Sequence, residues 1–244
     1  MAKQIVGYDI VVGMGEMGSA LYELLEKRHI RVEGYDKDPA KYRAHVPPGV
    51  LFDIVHICIP YSDTFVKDVA DYIDQFAPRM AIIHSTVRVG TTAAVSQLIE
   101  GKIPVFYSPI RGVHERFLMD LQTYEKYISP MYAQYEKMLI DRFSNIVWVG
   151  SPESLELTKL METTYYGYLI AFRKDIDKKF TDMSLEPYVF WDFCKEIHER
   201  LGNRPIMYND GEPIGGHCVI PNLELLPESF DFYKNLVGKW SQKD

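Results

Sequence analysis

Short apolar runs and longer amphipathic stretches alternate through the first 150 residues. Ile10-Val11-Val12 runs into Gly13, and Ala20-Leu21-Tyr22-Glu23-Leu24-Leu25 follows with the spacing of a helix. Ile30 to Tyr35 reads as a second strand by its β-branched alternation. Ile54 to Ile59 is a continuous apolar run stopped by Pro60, the pattern of a strand buried on both faces. Ala81 to His84, Ile103 to Tyr107 and Asn145 to Gly150 repeat the strand pattern. Between them, Val66 to Gln75 and Thr91 to Ile99 read as helices. Strands alternating with helices predict an α/β domain over residues 1–150, with a doubly wound parallel sheet and crossover helices.

After Gly150 the pattern changes to helix. Ser151-Pro152 offers an N-cap followed by proline at the first helical position. From Ser154 to Phe180 apolar positions recur at steps of three and four, interrupted by the isolated Gly167. That is a helix of roughly 40 Å at ~1.5 Å per residue. Phe190 to Leu201 is a shorter helix ended by Gly202, and Tyr208 to Gly216 is a loop by composition. Residues 151–244 are therefore expected to form a mostly helical second domain built on one long helix, for dimerisation and catalysis.

Composition narrows the function classes. With 47% hydrophobic and 25% charged residues, the 244-residue chain can bury a core. Its net charge of −7 gives no electrostatic support for nucleic-acid or anionic-membrane binding, so neither partner is expected. Small anionic ligands remain open. Cys58, Cys194 and Cys218 are widely spaced, form no metal-ligand pattern and suggest no disulfide framework. No signal-peptide core precedes Asp9 and no apolar run spans a bilayer, so the expectation is a cytoplasmic protein without a bound metal.

Candidate chemistry begins at Gly13-Met14-Gly15-Glu16-Met17-Gly18, a G-x-G-x-x-G turn between a strand and a helix. Asp36 lies 18 residues after the last glycine, at the end of the next strand. In a Rossmann-type domain Gly13 permits the tight turn, Gly15 lets a pyrophosphate approach the backbone, and Gly18 lets helix and strand pack closely. Glu16 and Met17 open the helix, whose free N–H groups face the phosphates. Asp36 would accept hydrogen bonds from a ribose and repel a 2′-phosphate, so the expected cofactor is NAD. Lys37, Lys41 and Arg43 follow closely and leave room for a phosphate.

Gly215-Gly216-His217-Cys218 is the other segment with chemistry in it. Two glycines before a cysteine can present the thiol in a cleft, with His217 assisting its ionisation. On this tetrapeptide alone, a turn with a buried cysteine is the better reading.

Taken together, several segments carry a resemblance. They are Gly13 to Gly18, Gly34 to Pro39, Ser85-Thr86-Val87-Arg88-Val89-Gly90-Thr91-Thr92, Leu157 to Tyr165, and Pro213 to Cys218. In this order they resemble the UDP-glucose/GDP-mannose dehydrogenase family across nearly the whole chain. The resemblance implies a two-step NAD-dependent oxidation of a sugar-nucleotide alcohol to an acid. It places Cys218 at the family nucleophile, Lys159 at the lysine that stabilises an oxyanion, and Thr86 at a cofactor contact. It also implies a homodimer built on the long helix.

The departures shape the expectation. Thr163 stands where the family has Asn, and Asn222 where it has Asp. Ile110 and His114 stand at the two acidic positions of the Pro-Glu loop, although Glu115 is adjacent. Only 26 residues follow Cys218, too few for the family's C-terminal nucleotide-sugar domain. The reading is a truncated relative that binds NAD and oxidises a CH–OH group with an altered active site. Two alternatives stay open: a short hydroxyacid-type dehydrogenase using Lys159 as acid and base, and an NAD-binding protein without turnover.

Overall fold

The computed structural model describes residues 7–43, 49–112, 116–207, 213–214 and 218–241. The chain divides into two compact units, Met1–Leu157 and Thr158–Asp244.

The N-terminal unit is built on β1 (Tyr8–Val12), β2 (Val32–Tyr35), β3 (Phe52–Ile57), β4 (Met80–Ile83) and β5 (Val105–Tyr107). These strands are parallel and lie in the order β2-β1-β3-β4-β5. Successive side chains leave opposite faces of a strand, so each apolar run feeds two cores. Ile10, Val12, Val55, Ile57, Ala81 and Ile83 pack with α2 (Phe65–Phe76) and α3 (Thr91–Leu98). Val11, Ile54, Met80, Ile82 and Phe106 pack with α1 (Glu16–Lys27), α4 (Phe117–Thr123) and residues of α5 (Glu136–Arg142). The result is a Rossmann-like sandwich of helices on both faces of a parallel sheet. A short parallel pair, β6 (Lys126–Ile128) and β7 (Ile146–Trp148), completes the unit.

The second face also buries a chain of polar groups. Asp9 is fully buried and accepts a bidentate pair from Arg142, Nε to Oδ2 at 2.9 Å and Nη2 to Oδ1 at 2.8 Å. His56 Nε2 lies 3.2 Å from Asp9 Oδ2, and His56 Nδ1 lies 3.0 Å from His84 Nε2. His84 Nδ1 is 2.7 Å from the Ser108 carbonyl, and Lys126 Nζ lies 2.9 Å from that carbonyl and 3.3 Å from the ring nitrogen. With both rings neutral, one contact must bring two lone pairs together. Setting His56 against a full carboxylate costs more than setting His84 against a carbonyl, since the Lys126 ammonium donates to both atoms there. The hydrogens therefore run from Lys126 to His84 to His56 to Asp9. Burial lowers the pKa of both histidines and keeps them neutral. Burial opposes ionisation of Asp9 too, but the bonds from Arg142 and His56 reverse this and hold its carboxyl below the usual range.

Helix α6 (Pro152–Asp182) starts in the first unit and runs on into the second. Ser151 opens it, its Oγ accepting from the Ser154 amide at 3.3 Å. The C-terminal unit adds α7 (Pro187–Leu201), α8 (Val219–Glu224) and α9 (Asp231–Gly238). Trp191 of α7 stacks on Arg173 at 4.1 Å and donates from Nε1 to Asp177 at 2.6 Å. Among the described residues, no helix is long and apolar enough to cross a membrane, and no cluster of His, Cys, Asp or Glu is arranged to hold a metal. The loop expected over Tyr208 to Gly216 lies almost entirely outside the described residues.

Candidate cofactor and catalytic sites

The strand order reverses at β1 and β3, so a crevice opens beyond the carboxyl ends of these two strands. Gly13 leaves β1 there with φ +93°, a left-handed value that favours glycine. A Cβ on Gly18 would sit 1.8 Å from the Gly13 carbonyl oxygen, so only hydrogen fits between turn and helix. Gly15 is different. Its φ is an ordinary −74°, and a Cβ there would meet nothing within 4 Å. Gly15 caps α1 without any side-chain acceptor, and the first amides of a helix have no partner within it. The free space at Gly15 suits an anionic group, held by backbone N–H groups and the helix dipole.

Asp36 is tied to this turn. Its Oδ2 accepts from the Met14 amide at 2.7 Å and its Oδ1 from the Asp38 amide at 3.0 Å. Burial acts to raise the Asp36 pKa. These amides, with the charge of Lys41, outweigh that and hold the carboxyl below its ordinary value. The carboxylate still has acceptor capacity for a hydroxyl donor.

Thr86 lies beyond β4 on the same edge of the sheet, half-buried between two fixed neighbours. Ser85 Oγ donates to the Ile59 carbonyl at 2.6 Å, and the Val87 side chain is fully buried. Ile110, just past β5, is also buried and packs against the second core. His114 and Glu115 lie outside the described residues, as do Gly215, Gly216 and His217.

The C-terminal unit holds the remaining candidates. Lys159 is on α6 with its ammonium 3.3 Å from Glu162 Oε2. Thr163, one turn later, donates to the Leu160 carbonyl and accepts from Asn222 Nδ2 at 3.1 Å. Asn222 and Thr163 are both buried, so this is a neutral, mutually satisfied pair. Two turns beyond Lys159, a Cβ on Gly167 would meet Val219 Cγ1 at 2.6 Å and Val237 Cγ1 at 3.1 Å. Gly167 thus lets α8 and α9 lie directly on α6. Cys218, half-buried, caps α8 immediately before Val219.

Sequence reasoning missed two polar anchors of the first unit, the Asp9–Arg142 pair and the buried Glu156. Each joins residues distant in sequence, 133 apart for Asp9 and Arg142. An aspartate inside the apolar strand β1 was the one signal available for the first.

No family model matches the chain. It is 25% identical over 160 residues to a UDP-N-acetyl-D-mannosamine dehydrogenase of Methanococcus vannielii, a match covering 63% of this chain and 35% of that protein. A second, from Methanococcus maripaludis, is 25% identical over 146 residues, 57% of this chain and 33% of that one. The matched segment thus spans about a third of the length of these relatives. Among solved structures, UDP-D-ManNAc dehydrogenase from Pyrococcus horikoshii superposes with a TM-score of 0.78 at 17% identity, covering 95% of this chain and 68% of that one. Mycobacterium tuberculosis 3-hydroxyisobutyrate dehydrogenase does so at 0.70 and 14%, covering 97% and 94%. These two structural likenesses concern the fold.

Proposed function

Since this chain is a relative of the UDP-sugar dehydrogenases, we propose that it binds NAD at the Gly13–Gly18 turn and oxidises a CH–OH group. The observation that carries this reading is the open, uncapped α1 N-terminus at Gly15 beside the Asp36 carboxylate. Gly13, Gly15, Glu16, Met17 and Gly18 would hold the pyrophosphate, Asp36 the adenosine ribose and Thr86 the nicotinamide side. Bound there, NAD supplies the hydride acceptor.

The protein's own part in the chemistry falls to Lys159 and Cys218, with Thr163 and Asn222 at the positions where the family carries further active-site residues. Lys159 carries the positive charge that steadies a developing alkoxide. Cys218, as thiolate, adds to the aldehyde carbon of the first oxidation product, and loss of a second hydride from that adduct leaves a thioester. Release of an acid then needs a base to activate water. Asn222 has no proton-accepting carboxylate, and its amide is committed to Thr163. Oxidation is accordingly slow, and ends at the aldehyde or at the thioester. The substrate is a small alcohol, with a sugar nucleotide as the leading class.

One observation favours a second reading. The neutral Thr163–Asn222 pair suits a single-step oxidation of a hydroxyacid, with Lys159 as acid and base and Cys218 uninvolved. The two readings part at Cys218: the first expects a covalent adduct on Cys218 by intact-mass spectrometry and a lower oxidation rate in Cys218→Ala, the second no adduct and an unchanged rate.

NAD binding is tested by calorimetric titration of the full chain. Gly15→Val should abolish it with no loss of fold, since the φ is ordinary and the space is free. NADP binding as tightly as NAD would refute the role given to Asp36, and NAD binding with no oxidation of any alcohol would leave a non-catalytic binding protein. We further propose a homodimer, supported by the exposed Tyr165, Tyr166, Tyr188 and Phe193 of α6 and α7. Sedimentation at micromolar concentration showing only the 28.3 kDa species would refute it.

A further inference from the structure

The second turn of α6 holds a carboxylate that none of this chemistry uses. Glu156 is fully buried. Its Oε2 accepts from the Gly90 amide at 2.6 Å, and its Oε1 accepts from the Thr92 amide at 2.8 Å and the Thr92 hydroxyl at 2.6 Å. Gly90 is the N-cap of α3 with φ +92° and has no side chain to cap with. A carboxylate at a helix N-terminus is favoured by the dipole, and three charge-assisted bonds offset its desolvation.

At φ +92° position 90 disfavours the usual capping serine or aspartate, and the Gly90 amide itself is one of the donors, so the cap is supplied by a residue 64 to 66 positions away. What a remote residue adds is a tie between two segments. The loop from Ser85 to Gly90 is fastened at its beginning, where the His84 amide donates to the Ile57 carbonyl at 2.9 Å and Ser85 Oγ to that of Ile59. Glu156 fastens its end. Thr86, the expected cofactor contact, is held between these two points, and Lys159 follows Glu156 by three residues in the same helix.

We propose that Glu156 is a positioning residue, which fixes the Thr86 loop to the start of the helix that carries Lys159. The proposal rests on the NAD reading above. In titrations of the full chain, Glu156→Ala should weaken NAD binding about tenfold. Val95→Ala removes buried packing from the same α3, and should lower the melting temperature while leaving NAD affinity intact. Glu156→Asp, with a shorter carboxylate, should recover part of the affinity. Should the alanine variant fail to fold, Glu156→Gln and Thr92→Val carry the test, since each removes part of the tie. If NAD affinity in these variants falls no further than in Val95→Ala, Glu156 is only structural and the proposal is overturned. Absence of NAD binding by the wild-type chain would instead remove the cofactor reading, and this inference with it.

Discussion

The two units bury very different things. The N-terminal one encloses two apolar cores on either side of its sheet and, within the second, a connected set of charged and polar groups. The C-terminal one buries few large side chains, Trp191 and Leu160 among them, and leaves Phe193, Leu201, Met183 and Phe232 more than 60% exposed. The first unit buries most of its apolar surface, with exceptions such as Leu51 and Met131, and the second leaves much more of it in water. Parallel strands need cover on both faces, so the first unit must be complete to exist. Helices can stand with one face uncovered, ready for another surface.

The sharpest way to break this contrast is inside the polar network. Asp9→Asn takes from the buried Arg142 guanidinium its bidentate carboxylate and leaves only Asp53 at 3.6 Å, at a cost of about 3 kcal/mol. Hydrogen exchange should then accelerate across β1 and β3 while α7 is unaffected. Unchanged protection in β1 would show the network to be dispensable.

Acid should act on the same groups. Both histidines are held below their ordinary value of 6.5 when folded, so below that pH the unfolded chain binds more protons than the folded one. Stability of the first unit is fully present above about pH 6.5 and is lost as pH falls. Each unit of depression is worth about 1.4 kcal/mol. Melting curves from about pH 7.5 to about pH 5.5 test this, and a flat profile would contradict neutral, buried rings.

Gly167→Ala addresses the second unit. The new methyl group presses on Val219 and Val237, costing about 1–3 kcal/mol. Exchange should quicken in α8 and α9 with NAD affinity unchanged. Smallest of all, Ser151→Ala removes the acceptor for the Ser154 amide, worth about 1 kcal/mol, and should fray only the first turn of α6.

Much of the first unit was legible because its signals are local. The runs through Val11, Val55 and Ile82 mark strands by themselves, and Gly13 to Gly18 marks the turn that follows one. The boundaries drifted by a residue or two: β3 begins at Phe52 rather than Ile54, and α6 extends from Pro152 to Asp182. Three-residue β6 escaped because its first member, Lys126, reads as a solvated lysine, whereas it is buried on two carbonyls and a histidine. Helices α8 and α9 escaped because six to eight residues, with Pro221 inside α8, are too few to show a period. In the candidate sites, Glu156 looks like any acidic residue near a helix start, and Asn222 gives no hint of a partner 59 residues earlier. Pairings across such distances are set by topology, which a single sequence does not display.

The reach of the Asp9–Arg142 pair has a consequence for how the chain is made. Every neighbour in a parallel sheet is separated by a crossover, and such distant contacts form slowly, on the order of milliseconds to seconds. Asp9 is synthesised early, and the guanidinium that compensates it comes 133 residues later. At about 5–20 residues per second on a ribosome, the aspartate waits about 7–27 seconds for its partner. A nascent chain stopped short of Arg142 holds the Asp9 carboxylate in β1 without the guanidinium that balances its charge, so the sheet can close fully only after α5 has been made.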